Sequence, residues 1–317
     1  MKICWFKDSK IGHEKQVHAI LDNLALTQDL LIEEIYVSNP VWLELFLYLL
    51  KIKPKQDSIP DIIIGAGSKT TIPMLRHKIH SKTKVISVMK PQFFESKFDL
   101  IVAPRHDYKV VPNNVFTYIG SIAKVNINPE LEDIGLIVVG GLNKHFKFDD
   151  DYLISQIDFV ISLFPNTKWI VFNSRRTPKS FNERIKKSSS IEKFIDVTTN
   201  WEPLNHYLPK AKFKFVTPDS VNMIFESLSS SGETYLFDMH SLRENKITKL
   251  IDEVKDNKYV GFLEEKYLEN SEIKTISLNK PNTLHDTFRE VEKVVYEIEK
   301  RFKKWEYVIF FQVILLL

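Results

Sequence analysis

The fold class is decided by the stretch Asp61–Gly67, which reads DIIIGAG. Its three consecutive isoleucines are typical of a strand that is buried on both faces of a sheet. Small residues end the run, and the next segment, 69–79, has the pattern of a helix. A buried strand followed by a helix indicates a parallel sheet, because parallel strands need crossover connections that cover both faces of the sheet.

The same alternation extends in both directions from this stretch. Before it, the pattern predicts strands at 2–7 and 30–37, and after it short strands at 84–88 and 98–102. Between the second and third strands, a helix that begins at Pro40 and is apolar nearly all round continues to Leu50. These elements complete one α/β domain.

A second domain follows the aperiodic segment 120–133, which contains Gly, Asn and Pro and is interpreted as a linker. The pattern restarts with a strand at 135–139, and more strands are predicted at 168–172, 194–197, 213–216 and 235–237. A helix over 284–302 closes the domain or crosses back to the first one. A chain of 317 residues is long enough for two domains. We expect Rossmann-like parallel-sheet domains at 1–125 and 132–304, followed by an apolar tail at 305–317.

Net charge, cysteine content and the apolar runs at the two ends of the sequence each bear on the class of protein. Lys and Arg number 44 against 41 Asp and Glu, so net charge gives no reason to expect nucleic-acid binding. The single cysteine, Cys4, cannot form an internal disulfide. The first apolar run is too short for a signal peptide, which predicts a cytoplasmic protein. The final segment, Tyr307–Leu317, would span about 16 Å as a helix. Membrane contact, a buried last strand, and a truncated or frame-shifted end are all alternatives for it.

Polar residues collect in the loops that follow the predicted strands of the first domain. Ligands of open parallel sheets bind at these carboxyl ends. His13 follows the first strand, and His106 and Asp107 follow the fifth, so these three are the candidate catalytic residues. A histidine at such a position can remove a proton from an acceptor. The alternative for His13 is packing or capping at the first helix, and for His106 a hydrogen-bonded loop position.

The second domain carries candidate contacts to a phosphate and a sugar. Backbone amides of a diglycine, paired arginines and a helix N-terminus all suit an anion, and a helix carboxylate can accept from ribose hydroxyls. The residues are Gly140, Gly141, Arg175, Arg176, Ser220 and Glu226. Taken singly, Ser220 also fits a helix N-cap. No metal site is predicted, because Asp149–Asp151 is better explained as the cap of the next helix.

An ordered set of motifs across nearly the whole chain resembles a known family. The motifs include Asp8-x-Lys10-x-Gly12-His13-Glu14-x-Gln16, Pro104-x-His106-Asp107, Gly140-Gly141, Ser174-Arg175-Arg176-Thr177-Pro178 and Thr217-x-Asp219-Ser220-x-x-Met223-x-x-Glu226. The family is the mitochondrial-fission "elongated mitochondria" (ELM-like) family of plants, with its bacterial homologues. It resembles the GT-B glycosyltransferases, which have two Rossmann-like domains facing across a cleft. The loop at Gly12-His13 is similar to the Gly-Gly-His loop of the transferase that builds the peptidoglycan lipid precursor.

The resemblance implies a function as well as a fold. The C-terminal domain would hold a nucleoside-diphosphate sugar as donor substrate, with no further cofactor, and the N-terminal domain an acceptor. The leading hypothesis is a metal-independent glycosyltransferase of envelope or surface glycan synthesis, with His13 as the base and a lipid-linked or polysaccharide acceptor. The alternatives are a nucleotide-sugar epimerase and a non-catalytic adaptor in membrane or organelle division. The helix Trp42–Leu50 and the basic segment Lys300–Trp305 are candidate peripheral membrane contacts; the alternative for the helix is domain core.

Overall fold

The computed structural model describes residues 1–56, 58–267, 274–282 and 287–302. The chain divides into two compact units. The first contains Met1–Lys124 together with the segment that begins at Arg289, and the second contains Val125–Phe288.

The first unit is built on a six-stranded parallel sheet with the order β2-β1-β3-β4-β5-β6. The strands are β1 (Lys2–Lys7), β2 (Leu31–Tyr36), β3 (Ile62–Ala66), β4 (Lys84–Val88), β5 (Leu100–Pro104) and β6 (Val115–Tyr118). The helices are α1 (Ile11–Leu24), α2 (Val41–Leu49), α3 (Ser68–His77) and, after the second unit, α8 (Glu290–Phe302). The chain moves in opposite directions along the sheet through α1 and α3, and right-handed crossovers therefore put these helices on opposite faces.

The second unit contains a seven-stranded sheet with the order β13-β12-β11-β10-β7-β8-β9, parallel except for the antiparallel pair β12–β13. Its strands are β7 (Glu132–Val138), β8 (Lys168–Phe172), β9 (Lys193–Ile195), β10 (Ala211–Val216), β11 (Glu233–Leu236), β12 (Gly261–Tyr267) and β13 (Lys274–Asn279). Its helices are α4 (Asp150–Leu163), α5 (Lys179–Lys186), α6 (Val221–Leu228) and α7 (Lys246–Asp256).

The fold class expected from the sequence, α/β with two Rossmann-like parallel-sheet domains, is confirmed by this topology. Two such units in one chain are what the GT-B-like class contains. The strands are apolar because helices cover both faces: Ile62, Ile63 and Ile64 of β3 are all buried. Cys4 lies in the same core as a free thiol, and burial raises its pKa to about 12. The placement of the two domains across a cleft stays a prediction.

The division of the chain differs from the expected ranges at the C-terminal helix. The range 132–304 assigned α8 to the second domain, whereas α8 packs against α1 and β6 of the first unit. The buried Glu290 side chain accepts a hydrogen bond from the backbone N–H of Ile119 at 2.9 Å, and Val291, Val294 and Ile298 are buried. This apolar stripe at helical spacing fixes α8 to the sheet of the first unit.

The apolar tail at 305–317 lies outside the described residues, as do the last three residues of the basic segment Lys300–Trp305. Among the residues that the structure describes, no helix combines the length and the apolar character needed to cross a membrane.

Lys214 of β10 is a fully buried lysine without a carboxylate partner among the described residues. Its Nζ donates to the carbonyl oxygens of Ser227 and Ser231, both at 2.6 Å, and to the carbonyl and hydroxyl oxygens of Ser230. These groups lie at the C-terminal end of α6, where the helix dipole favours a cation. Burial nevertheless lowers the Lys214 pKa from 10.5 to about 7.

Because the pKa of Lys214 is lowered in the folded chain, we expect the free energy of unfolding to rise with pH. Between pH 7 and 10 the unfolded chain keeps a proton on Lys214 that the folded chain has largely released, so the free energy of unfolding increases with pH in this window. We expect a gain of roughly 2 kcal/mol between pH 7 and 9 from this group. Urea titrations across this range should give a flatter profile for Lys214→Met. The profile of Lys212→Met, which alters a half-exposed lysine of the same strand, should equal that of the wild type.

Candidate functional site

In the first unit, Asp8 and His13 lie where the strand order reverses. β1 has β2 on one side and β3 on the other, and the chain leaves β1 in one direction and returns in the other. Such a switch point opens a crevice at the carboxyl ends of the strands. Asp8 is the first residue after β1, and His13 lies in the first turn of α1.

Asp8 and His13 form a hydrogen-bonded pair. The His13 Nδ1 lies 2.8 Å from Oδ2 of Asp8, whose side chain is buried. The other carboxylate oxygen accepts from the backbone N–H of Lys10 at 3.1 Å. Since an ionised carboxylate can only accept, the hydrogen of this bond lies on Nδ1, and in the neutral imidazole Nε2 then keeps its lone pair. Asp8 therefore sets the tautomer in which Nε2 can take a proton.

Gly67, which follows β3, lets a second strand end come close to this pair. Its φ is +90°, in the region that favours glycine. A Cβ atom at this position would lie 2.4 Å from Nδ1 of His13 and 2.7 Å from Oδ2 of Asp8. The small residue that ends the third strand is thus required by the Asp8–His13 pair.

The other candidates of this unit, His106 and Asp107, lie in the short 3-10 turn after β5. Nε2 of His106 is 3.8 Å from Oδ1 of Asp107, and both side chains are largely buried. The negative charge of Asp107 adds to burial in raising the pKa of Tyr118. The Tyr118 hydroxyl donates to Gln16 at 2.9 Å. Because Gln16 follows His13 by one turn of α1, these contacts connect the Asp107 region to the helix that carries His13.

In the second unit, Gly140 and Gly141 also lie at a switch point, since β7 has β8 on one side and β10 on the other. Their N–H groups donate to side chains that follow β10. Gly140 donates to the Thr217 hydroxyl at 2.7 Å, and Gly141 donates to Oδ2 of Asp219 at 3.0 Å. Both amides therefore have partners within the unit, and the expectation that Gly140 and Gly141 contact an anion stays a prediction.

Asp219 is the centre of this cluster. Its side chain is 0% exposed, accepts from Thr217 at 2.7 Å, and pairs with the Arg176 guanidinium at 3.1 Å. Burial raises the Asp219 pKa, while these hydrogen bonds and the Arg176 charge oppose the rise. A Cβ atom on Gly140 would lie 2.1 Å from the Asp219 carboxylate. The diglycine thus makes room for a carboxylate of the protein itself.

The loop after β8 completes the cluster. The hydroxyl groups of Ser174 and Thr177 both donate to the carbonyl of Gly140, at 2.6 Å for Ser174. Arg176 also donates to the carbonyl of Leu142 at 3.2 Å, and its side chain remains 45% exposed. Arg175 is exposed. The loop is held from within, so its two arginine side chains keep donors for a ligand.

Ser220 occupies the N-cap position of α6, but its side chain makes no capping hydrogen bond. Glu226 is half-buried on the same helix. Ser220 therefore does not cap α6 through its side chain, which was the alternative interpretation of this residue. By contrast, Asp149 does cap α4, accepting from the backbone N–H of Tyr152 at 3.2 Å, as the sequence suggested.

Three basic residues of this region were missing from the sequence-derived site: Lys144, His145 and Arg243. The loop after β7 is joined to the loop after β11 by a bridge between Phe146 and Ser241. Partial burial and the charges of Lys144 and Arg243 lower the His145 pKa. The sequence signal that could have found Arg243 is its place in a loop after a strand of the same sheet.

The loops after β7, β8, β10 and β11 therefore meet at one edge of the second sheet, bringing Gly140, Gly141, Arg176 and Ser220 together with Asp219. Within the described residues, no group of three or more His, Cys, Asp or Glu side chains is arranged to hold a metal ion.

Comparison with known proteins gives one family and several similar proteins. A profile of the family described as "Mitochondrial fission ELM1" matches residues 11–301. An uncharacterized protein of Rickettsia prowazekii is 26% identical over 56% of this chain and 64% of its own length, so the chain spans less than two thirds of that relative.

Solved structures with a similar fold include glycosyltransferases and epimerases. One is the UDP-GlcNAc 2-epimerase of Methanocaldococcus jannaschii in complex with UDP-GlcNAc and UDP, with a TM-score of 0.48, 13% identity, and coverage of 96% of this chain and 93% of that one. Another is the ADP-heptose lipopolysaccharide heptosyltransferase II of E. coli, with a TM-score of 0.44, 9% identity, and coverage of 95% and 98%.

Proposed function

The chain belongs to the mitochondrial fission ELM1 family, and we propose that it is a glycosyltransferase that uses a nucleoside-diphosphate sugar and needs neither a metal ion nor a further cofactor. The proposal places the protein in the cytoplasm, at a membrane surface, in the synthesis of envelope or surface glycans. The acceptor is a lipid-linked sugar or a polysaccharide.

One observation carries the proposal: each sheet has a polar cluster at its topological switch point. The first unit holds an oriented imidazole, and the second holds a set of arginine and other basic side chains. Parallel sheets bind ligands at such points, and glycosyl transfer needs a proton acceptor for the acceptor hydroxyl and cationic donors for the leaving diphosphate. The two clusters supply these two functions.

The residues of the second unit suit the donor. The exposed Arg175 and the half-exposed Arg176 supply forked donors for phosphate oxygens. The N–H groups at the start of α6 beside Ser220 add the positive end of the helix dipole. Lys144 and Arg243 add further positive charge. Developing negative charge on the diphosphate is thereby stabilised by fixed groups of the protein, and the Glu226 carboxylate accepts from ribose hydroxyls.

The residues of the first unit suit the acceptor. In an inverting reaction, Nε2 of His13 removes the proton of the acceptor hydroxyl while the acceptor oxygen bonds to the sugar carbon and the bond from that carbon to the diphosphate breaks. The proton passes to His13, and the leaving diphosphate takes the electron pair. Asp8 holds the ring and stabilises the imidazolium that forms, as a carboxylate does for other catalytic histidines. His106 and Asp107 are the further candidates for proton transfer in the same unit.

A nucleotide-sugar epimerase is the second candidate function. The specific observation that favours it is the presence of two acid–base groups in one unit, the Asp8–His13 pair and the His106–Asp107 turn. An epimerase would use the same donor site with no acceptor. A non-catalytic adaptor in membrane or organelle division is the third candidate, and the half-exposed Arg176 that the buried Asp219 and the supporting loops hold in place argues against it.

The test is a ligand screen with UDP, GDP, CMP and their sugar conjugates, followed by product analysis with the tightest binder. Binding by calorimetry is expected for one nucleotide. Turnover without an added acceptor would select an epimerase or hydrolase. Absence of binding to every compound would remove both enzyme proposals.

Arg176→Ala is expected to weaken binding of that nucleotide by about 10- to 100-fold, because a charge-assisted hydrogen bond to phosphate is lost. Glu226→Ala should weaken nucleotide binding while leaving the affinity for pyrophosphate unchanged. The matched control is Arg184→Ala: this side chain is 44% exposed and pairs with Asp151 on the surface. Equal affinities in all three variants would contradict the assignment of the donor site.

A further inference from the structure

Helix α2 turns its single charged residue inward and several of its large apolar side chains outward. The one buried residue of the helix is Glu44, which is 4% exposed. Trp42, Phe46 and Leu49 are exposed, and they recur at i, i+4 and i+7, so they form a single face. A helix that covers a sheet normally buries such a face. Domain core was the alternative that the sequence left open for this helix, and it is wrong for the side chains of Trp42, Phe46 and Leu49.

This orientation is fixed by a buried ion pair beneath the helix. The Glu44 carboxylate accepts from Nε of Arg76 at 2.8 Å and from Nη2 at 3.2 Å. The side chain of Asn39 donates to the same carboxylate at 2.7 Å. Arg76 belongs to α3, on which α2 packs. A rotation of α2 that buried Trp42, Phe46 and Leu49 would break the hydrogen bonds that Glu44 accepts from Arg76 and Asn39. The helix therefore keeps these apolar side chains outward.

Aromatic residues from a neighbouring loop contact α2 on the side of Glu44, through Tyr48, and so lie apart from the face of Trp42, Phe46 and Leu49. The rings of Tyr48 and Phe94 are 5.5 Å apart, and Phe93 follows with its ring 6.4 Å from that of Phe94. Phe93 and Phe94 are both exposed. The exposed apolar face of α2, with Trp42, Phe46, Leu49 and Leu50, is itself a feature of protein or membrane contact sites.

Exposed lysines follow the helix directly. The backbone N–H of Ile52 donates to the carbonyl of Leu47 at 2.9 Å, and Lys51 has a φ of 57°, which ends the helix in a Schellman turn. Lys51, Lys53 and Lys55 are all exposed. Tryptophan and phenylalanine beside several lysines suit the boundary between acyl chains and anionic headgroups.

We propose that the surface formed by Trp42, Phe46, Leu49, Leu50 and Lys51–Lys55 docks on an anionic lipid bilayer. The charge decides between occupants: anionic headgroups neutralise the lysines, whereas a second copy of the chain would bring the same lysines against each other. The aromatic side chains enter the headgroup boundary while the lysines contact the headgroups. This surface deepens the membrane contact included in the proposed function and needs neither a nucleotide nor turnover.

The test is sedimentation of the full chain with vesicles of phosphatidylcholine containing 30% phosphatidylglycerol. The double variant Trp42→Glu, Phe46→Glu is expected to reduce the partition coefficient by about tenfold or more. Replacing Lys51, Lys53 and Lys55 by glutamine should reduce it by about 100-fold, since each lysine near an anionic surface contributes on the order of fivefold. Brominated lipids should quench tryptophan fluorescence in the wild type and less in Trp42→Phe.

Matched controls lie on the second unit. Trp201 is 65% exposed, close to the 70% of Trp42, so Trp201→Glu should leave vesicle binding unchanged. Glutamine at three exposed lysines should also have little effect; they are Lys179, Lys187 and Lys210. Nucleotide affinity measured on the same proteins separates this proposal from the donor site: loss of vesicle binding with unchanged nucleotide affinity supports the docking surface alone.

Three results would overturn the proposal. The first is absence of binding of the wild type to the anionic vesicles. The second is binding that the double variant retains in full, which would assign the contact to another segment such as 305–317. The third is a dimer of the wild type that the double variant converts to a monomer, which would assign the surface to a second copy of the chain.

Discussion

His13→Gln is expected to lower kcat for sugar transfer by about 10²- to 10⁴-fold, because the acceptor hydroxyl loses its proton acceptor. The Kd for the nucleotide should stay the same, since the donor residues belong to the other unit. Steady-state kinetics together with calorimetry separate these two effects. A variant that keeps most of its kcat would show that His13 is not the base and would direct attention to His106 and Asp107.

Asp8→Asn should lower kcat by up to about 10⁴-fold although the side chain keeps its shape. An amide that donates to Nδ1 would place the hydrogen on Nε2, the atom that must accept a proton. As a positioning residue, Asp8 should affect kcat and leave KM for the donor unchanged, and Asp8→Glu should recover part of the activity.

The same helix offers a matched control for both variants. His18 and Asp22 form a second histidine–carboxylate pair on α1 at 3.3 Å, and the histidine is exposed. His18→Gln and Asp22→Asn should leave kcat unchanged. If these variants lose as much activity as the variants of His13 and Asp8, a general effect on α1 would explain both.

Asp219→Ala is expected to reduce the free energy of unfolding by about 2–4 kcal/mol. The carboxylate is the acceptor for the Thr217 hydroxyl and the Gly141 N–H, both buried, and the partner of Arg176. Its removal leaves these donors unsatisfied and leaves a cavity beside Gly140. Burial raises the Asp219 pKa, so part of this loss is offset by removing a carboxylate that is costly to bury.

Asp151→Ala is the matched control, because Asp151 also pairs with an arginine but its side chain is 89% exposed. An exposed pair contributes little, so its loss should change the free energy of unfolding by less than about 1 kcal/mol. Urea denaturation of both variants measures the contrast. Equal effects would mean that the Asp219 network does not hold the three loops together. Asp219→Ala should also weaken nucleotide binding through the released Arg176 side chain.

Local pattern predicted most of the strands and helices but not all of them. The strand β8 has the predicted bounds, and β3 and β10 lie within two residues of them. β6 was not predicted, because four residues with two half-buried positions carry too short a pattern. The antiparallel strands β12 and β13 were not predicted either. Charged side chains interrupt their apolar residues, and such a pattern resembles that of a loop. The unit on which α8 packs, and the face of α2 that is buried, depend on tertiary packing. Hydrophobic spacing alone does not specify either.

Part of the candidate site follows from the same pattern. Loops after parallel strands meet at one edge, so His13, Arg176 and Ser220 could be named from the sequence. Asp8 could not be assigned its role, because its partnership with His13 depends on how the chain turns between β1 and α1. Arg243 could not be placed beside Lys144 and His145 from the sequence, because β10 lies between β7 and β11 and the loops after these two strands meet only through the bridge between Phe146 and Ser241.

The sequence by itself determined the α/β class, the two sheets and the loops that hold polar residues, since hydrophobic periodicity is a local property of the chain. Only the tertiary structure decided which groups meet. Gly140 and Gly141 were expected to approach a ligand, yet they accommodate Asp219, which lies 78 residues beyond Gly141. Glu44 turns an apolar helix outward through Arg76, 32 residues away. Such contacts depend on strand order and helix packing, which no local pattern encodes.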